Sequence, residues 1–367
     1  MHITRGTGRA GIERKIISLT DALSGRFEFG HLGLFDRGHL DQAFAERGLP
    51  SYFAGIRELP LMAYPFYFTR RGLVSGIVRE FGADLVHIYH PPHHWWLGSA
   101  AKDAGAAVVL EACNANRYCR KRLAALVERR GFRYIDRAIA ISRFVQNRYQ
   151  EAFGVSPENF EVIHNGTDTK LFRPPKEGEC REIRSELGIA EDATVICGSG
   201  RFIPRKGFHI LLESLTLLPK SADFVLLLAG DGPERERLES MAESAGIRAF
   251  FPGFRQDIHR ILRAADIYVC PSLHEEFGQV LTEGMATGLA CVASETGGFL
   301  EIASGGEDSL TFESGNPGAL AEKITLLLDD RELREKLGEK AREKAVSQFG
   351  LDRMIEKKAS LYERLIS

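Results

Sequence analysis

No run of about 20 apolar residues occurs in the 367-residue sequence, so a helix that crosses a membrane is not expected. Cysteine is scarce. The six thiols (Cys113, Cys119, Cys180, Cys197, Cys270 and Cys291) form no CxxC pair, which argues against a zinc site or a disulfide framework and fits reduced cytosolic thiols. The opening residues MHITRGTGRAG lack the apolar region of a secretory signal, so export is not expected and the cytoplasm is the expected location. Net charge is also small, at −2, but it hides an asymmetry: residues 1–170 carry 23 Lys and Arg against 17 Asp and Glu, and the remainder 25 against 33. The N-terminal half is the basic one.

What is present is ordinary globular composition, 44% hydrophobic and 27% charged. The length exceeds one typical core, so two lobes with a cleft between them are expected. Short apolar runs recur between helical patterns at 27–35, 84–90, 106–112 and 137–142, and again at 193–200, 223–232, 266–272 and 290–294. Strands that alternate with helices make βαβ units and a parallel sheet, here twice over. Asn165-Gly166 and Pro174-Pro175 bracket a turn-rich stretch, which puts the hinge near residues 167–176. Helical segments close the chain, beginning with PGALAEKITLLLDD at 317–330.

Chemistry concentrates between Arg201 and Glu283. GSGRFIPRKGFHILLESL (198–215) sets Arg201 and Lys206 between a strand end and an amphipathic helix that starts at Gly207. Cations beside a helix N-terminus suit a diphosphate, although two basic side chains alone are equally consistent with a solvated surface. CPSLHEEFGQVLTEGMATGLACVAS (270–294) adds Glu275 in a loop and Glu283 on the following helix. Carboxylates there can accept hydrogen bonds from sugar hydroxyls, and the amides of Gly278 and Gln279 can meet a phosphate. Together these features fit the carboxyl-end crevice of an α/β sheet.

The C-terminal half, and with it nearly the whole chain, resembles the retaining glycosyltransferases of family 4. The matching segments are GIERKIISLTDAL (11–23), 136–174, GRFIPRKGF (200–208), LLLAGDGPERERLE (226–239) and EEFGQVLTEGMATG with its following TGGFLEIA. The resemblance implies the GT-B fold, an α/β architecture of two Rossmann-like β/α/β domains that face each other across a cleft. It implies an acceptor-binding domain over 1–170, with the terminal helix at about 351–367 packed back on it, and a donor-binding domain over 171–350. It further implies that Arg201, Lys206 and Glu275 form the catalytic set, the two cations on the donor diphosphate and Glu275 toward the donor sugar. Glu283 would hold the ribose, the Gly11 turn would approach the phosphates, and Arg255, Phe277, Gly278, Gln279 and Val280 would complete the donor site. No metal or cofactor is expected.

The implied activity is retaining transfer of a hexose-type sugar, from a nucleotide-diphosphate sugar to a hydroxyl of a sugar, polysaccharide or lipid-linked acceptor, in envelope polysaccharide, lipopolysaccharide or glycolipid synthesis. A catalytically silent nucleotide-sugar-binding relative and a GT-B sugar epimerase are the alternatives. On the acceptor side the candidates are His90, Cys113 and Asn114. Relatives often carry a His where this chain has Cys113, so that role does not transfer, and a buried packing thiol is the expected reading.

Three other features compete for attention. Gly6-x-Gly8-x-x-Gly11 with Asp36 matches a dinucleotide fingerprint, but only five residues precede it and no other oxidoreductase feature accompanies it. His87, His90, His93 and His94 invite a metal, yet His87 and His90 would point to opposite faces of a strand and no carboxylate or Cys pair completes a set; a loop facing the acceptor is the favoured reading. Residues 117–137 hold eight basic and two acidic residues on a helical pattern with Leu123, Leu126 and Val127, which reads as a solvated face or a peripheral contact with an anionic membrane. Nucleic acid is not expected, for few aromatics interleave with these cations.

Overall fold

The computed structural model describes residues 1–5, 10–59, 64–89, 93–113 and 122–367. They form two compact units, one of Met1–His164 with Met354–Ser367 and the other of Asn165–Arg353. Residues 165–170 go with the second unit because its own contacts hold them. Thr167 bridges to Gly350, its N–H donates to the Phe349 carbonyl at 2.8 Å, and its hydroxyl bonds Thr282 at 2.7 Å.

The first unit carries a seven-stranded parallel sheet. Its strands are β1 (His2–Thr4), β2 (His31–Gly33), β3 (Ser51–Phe53), β4 (Leu85–Ile88), β5 (Ala107–Ala112), β6 (Arg137–Ala140) and β7 (Phe160–Val162), in spatial order β3-β2-β1-β4-β5-β6-β7. Ile3, Leu32, Val86, Ile88, Val108 and Ile139 have no exposed surface, as expected of strands covered by helices on both faces. β1 is only three residues long, yet it pairs with β2 on one side and β4 on the other. The few residues before the glycine pattern therefore do make a first strand, contrary to the expectation from length.

The second unit repeats the plan with β8 (Val195–Ser199), β9 (Val225–Ala229), β10 (Ala249–Gly253), β11 (Ile267–Cys270), β12 (Ala290–Ser294) and β13 (Leu310–Phe312), in order β10-β9-β8-β11-β12-β13 and all parallel. Ile196, Leu226, Leu228, Ile267, Val269 and Val292 pack with Phe208, Leu211 and Leu320 into one core. Each such side chain contributes about 1.5–3 kcal/mol on burial. Side-chain caps fix the helix starts: Asn316 accepts from the Ala319 N–H at 3.0 Å ahead of Pro317–Asp329, and Asp330 from Leu333 at 2.8 Å ahead of Arg331–Phe349.

All eight apolar runs named from the sequence contain a strand, and the fold is the expected doubly wound α/β arrangement in each unit. The terminal helix Leu351–Ile366 is assigned to the first unit from Met354 onward, where Arg26 pairs with its Glu356 at 2.9 Å and Glu363 at 2.7 Å.

Candidate active site

In the second unit the chain runs outward from β8 to β10 and returns to β11, so strand order reverses between β8 and β11. The crevice at the carboxyl ends of those two strands is where open α/β sheets bind ligands. The loop after β8 carries Arg201 and Lys206; the loop after β11 carries Glu275.

Two close approaches weld these loops together. Gly207 has φ +68, and a Cβ there would lie 1.9 Å from the Pro271 carbonyl oxygen, so only glycine lets the first loop seat on the second. Next to it the Leu273 N–H donates to the Arg205 carbonyl at 2.8 Å. The consequence is a direct ion pair: Lys206 Nζ donates to Glu275 Oε2 at 2.6 Å, with both side chains 13% exposed. Arg201 stands exposed on the same loop, whose Phe202 is fully buried against Phe208 and Phe251.

Gly278 turns the β11 loop into the helix Gln279–Thr287. Its φ is +116, and a Cβ would meet the Phe299 ring at 2.5 Å. The Gln279 and Val280 amides are thus among the first-turn donors that have no acceptor within the helix. The Gln279 side chain is tied down, donating to Gly166 O at 3.2 Å and Thr167 Oγ1 at 2.9 Å. Phe277 is buried, with its ring edge-on to Phe349 at 6.1 Å. Glu283 lies one turn into the helix and is half-buried. Arg255 follows β10, two strands out from β8, and is held by Asp257 through bonds of 2.8 and 2.7 Å; neighbouring Phe254 is 68% exposed. The fold therefore brings Lys206 and Glu275 into contact and sets Arg201, Gly278, Gln279, Val280 and Glu283 on the flanking loop and helix. Arg255 is committed to a neighbour on its own loop.

Several expectations for the first unit need correction. Gly11 lies within the first turn of the helix Ala10–Leu23, an exposed helix start and not a turn before it. Cys113, just past β5, is half-buried where a buried thiol was expected, with its Sγ 3.9 Å from the Glu111 carbonyl oxygen. Three of the four histidines lie on or against secondary structure and are buried. His87 is buried on β4, and His93 and His94 are buried at the start of the helix His94–Asp103. His90 and Asn114 lie outside the described residues. In the helix Arg122–Gly131, Leu126 is 52% exposed while Glu128 is buried, 3.0 Å from His94 Nδ1. Among the described residues no group of three or more His, Cys, Asp or Glu is placed to hold a metal ion.

One cluster escaped sequence reasoning. Glu111 on β5 is 1% exposed and accepts both 3.1 and 2.9 Å bonds from Lys358 of the terminal helix, itself 1% exposed. His87 Nε2 lies 3.2 Å from Glu111, while its Nδ1 bonds the Tyr362 hydroxyl at 2.6 Å. Burial alone would raise the Glu111 carboxyl, but Lys358 and His87 outweigh it and hold it well below the usual carboxylate range. Burial drives His87 down to about 4 against the pull of Glu111, so its ring is neutral near pH 7. The signal was present as a lone acid inside the apolar run VVLEA.

Comparison with known proteins adds the family. The model of Glycosyltransferase Family 4 matches residues 9–171, and the model of glycosyl transferases group 1 matches residues 180–344. The lipopolysaccharide core biosynthesis glycosyltransferase LpsD of Rhizobium meliloti is 28% identical over 99% of this chain and 98% of its own length. LpsE of the same organism is 36% identical over 168 residues, 45% of this chain and 48% of that protein. Among solved structures, Anabaena HepE in complex with UDP aligns with a TM-score of 0.85 at 22% identity over 99% of each chain.

Proposed function

This chain belongs to the GT-B glycosyltransferases of the family 4 type, and from that premise we propose that it moves a hexose-type sugar, with retention, from a nucleotide-diphosphate sugar to an acceptor hydroxyl. The observation that carries the proposal is the Lys206–Glu275 pair at the β8/β11 switch point, beside the Gly278–Val280 helix start. An ammonium has three donors, so Lys206 can bond a diphosphate while it keeps Glu275 oriented. Arg201, exposed on the same loop, adds a second cation. Glu275 then accepts from the sugar hydroxyls and Glu283 from the ribose, with Phe277 and Arg255 completing the donor's surroundings.

The reaction needs no enzymic nucleophile. The anomeric carbon–oxygen bond to the diphosphate breaks, the acceptor oxygen bonds the same face of the sugar, and the acceptor's proton goes to the departing phosphate oxygen. Lys206, Arg201 and the helix-start amides stabilise charge that grows on the leaving group, where a preorganised donor acts most. No resident metal or other cofactor takes part in this reading.

The acceptor class is proposed from relatives. LpsD, similar along its whole length, is a lipopolysaccharide core glycosyltransferase, which favours an envelope polysaccharide, lipopolysaccharide or lipid-linked acceptor. Bound UDP in HepE favours a UDP-sugar donor. Such an acceptor would be met at the cytoplasmic face of a membrane, and Arg129, Arg130 and Arg133, all exposed within 117–137, suit an anionic surface.

The test is release of nucleoside diphosphate from a panel of UDP- and GDP-sugars, with and without lipopolysaccharide core fragments. Release that one donor supports and an acceptor accelerates is the expected result. Tight donor binding with no release would sink the enzymatic reading and leave a silent nucleotide-sugar binder.

A further inference from the structure

Apolar surface that stays exposed in the first unit is not scattered. Among the described residues its large exposed apolar side chains are Phe68, Leu73, Leu126 and Ile366, and all but the last lie on or beside helices packed in series. The Phe68 ring, at the end of the helix Tyr64–Thr69, lies parallel to the half-buried Trp95 ring, with centroids 6.1 Å apart and planes within 3°. Gly131 in turn ends its own helix against Trp95, where a Cβ would lie 2.6 Å from the Trp95 Cβ. Contacts therefore run unbroken from Phe68 through Trp95 to the helix Arg122–Gly131, and Leu73 follows Phe68 in the first turn of the helix Arg71–Phe81.

Cations flank these rings. Arg70, Arg129, Arg130 and Arg133 are exposed, and none of the four has an acid partner among the described residues. Arg70 lies over the Phe66 ring and Arg71 over the Phe68 ring, each 5.0 Å from the centroid. Leu126, Arg129 and Arg130 stand at i, i+3 and i+4 on one helix and so share a face. The acids of the same helices are engaged or distant: Glu128 faces His94, Asp103 holds Arg71 at 2.7 Å, and Glu80 sits in the last turn of Arg71–Phe81, at the end away from Phe68.

An aromatic pair beside unpaired arginines suits a place where apolar depth and negative charge coincide, which is the headgroup boundary of an anionic bilayer. Position agrees. The helix His94–Asp103 follows β4, so Trp95 stands at the carboxyl end of the first sheet, where strand order reverses between β1 and β4 and a ligand crevice is expected.

We infer that Phe68 and Trp95, with Leu73, Leu126 and the four arginines, dock the first unit on an anionic lipid bilayer. The inference deepens the arginine contact proposed above by giving it apolar anchors outside residues 117–137. It rests on the glycosyltransferase reading only for the acceptor's place in that bilayer; the docking surface itself does not.

The two tryptophans supply the test. Trp96 has no exposed surface, so quenching by lipid brominated on its acyl chains reports on Trp95. The full-length protein is sedimented with vesicles of phosphatidylcholine, with and without phosphatidylglycerol, and its fluorescence is followed in brominated versions of both. Phe68→Ser and the double variant Arg129→Glu with Arg130→Glu are compared with Leu217→Ser, a change at a side chain 58% exposed in the second unit. Vesicles with phosphatidylglycerol should bind the native protein and quench Trp95, and each of the first two variants should weaken binding by about tenfold while Leu217→Ser does not. Binding that neither variant weakens overturns the inference, as does binding that the arginine variant alone abolishes without any quenching. Failure with both vesicle types also overturns it and leaves the surface to a protein partner. Docking by a protein that releases no nucleoside diphosphate from any sugar donor would keep the surface and discard the glycosyltransferase reading, whereas release without docking discards the surface alone.

Discussion

Each unit of this protein holds a lysine–glutamate pair, and the two pairs are built for different ends. Lys206–Glu275 spans two loops at the open edge of the second sheet, with both partners 13% exposed. Lys358–Glu111 spans a helix and a strand, with both partners 1% exposed and a neutral histidine closing the set. The first can exchange its partner for a ligand at modest cost because water reaches it. The second cannot, since either charge alone would be stranded in a low-dielectric interior. Burial, and not the identity of the residues, separates the site from the staple.

The largest effect should come from the sealed pair. Lys358→Met should cost about 3–5 kcal/mol of stability, seen as a lower urea midpoint, because it leaves Glu111 charged and unpaired. Next in size, Lys206→Ala should slow transfer about 10²- to 10³-fold while it lowers the urea midpoint far less than Lys358→Met does. A midpoint drop as large as that of Lys358→Met would erase the contrast between the pairs.

The pH dependence follows from His87, whose pKa falls from the ordinary 6.5 to about 4 on folding. Between those values the unfolded chain holds a proton that the native one lacks, so stability should fall by on the order of 3 kcal/mol as pH drops from 6.5 to 4 and then level off with respect to this group. Glu111 acts at lower pH: its contribution is complete above the unfolded carboxylate value and is lost only as pH drops through its depressed native one. Urea titrations across pH 7 to 4 should show the first slope in the native sequence and lose it in His87→Gln.

Gly278→Ala tests the open site through its backbone. A Cβ forced to φ +116 against Phe299 should cost about 1–3 kcal/mol and raise the donor KM by displacing the helix-start amides. The smallest effect is expected from Arg255→Ala, whose half-exposed pair with Asp257 should contribute under about 1 kcal/mol to the melting transition.

Much of this was legible in the sequence because apolar runs and glycine-bounded loops report local structure. The runs at 193–200 and 266–272 fall on β8 and β11, and the residues that follow them, Lys206 and Glu275, meet at the switch point. Strands β3, β7, β10 and β13 escaped separate notice because each is three to five residues long and partly exposed. The Glu111–Lys358 pair was hidden for another reason. Its partners lie 247 residues apart, and no local pattern reports a contact between a strand and a helix that returns from the far end of the chain.

Calorimetric titration of nucleoside diphosphates into the native protein and into Lys206→Ala and Arg201→Ala tests the donor-edge assignment most directly. Saturable binding by the native protein that weakens at least about tenfold, some 1.4 kcal/mol, in each variant is the predicted result. Equal affinity in all three proteins would contradict it and place the diphosphate elsewhere.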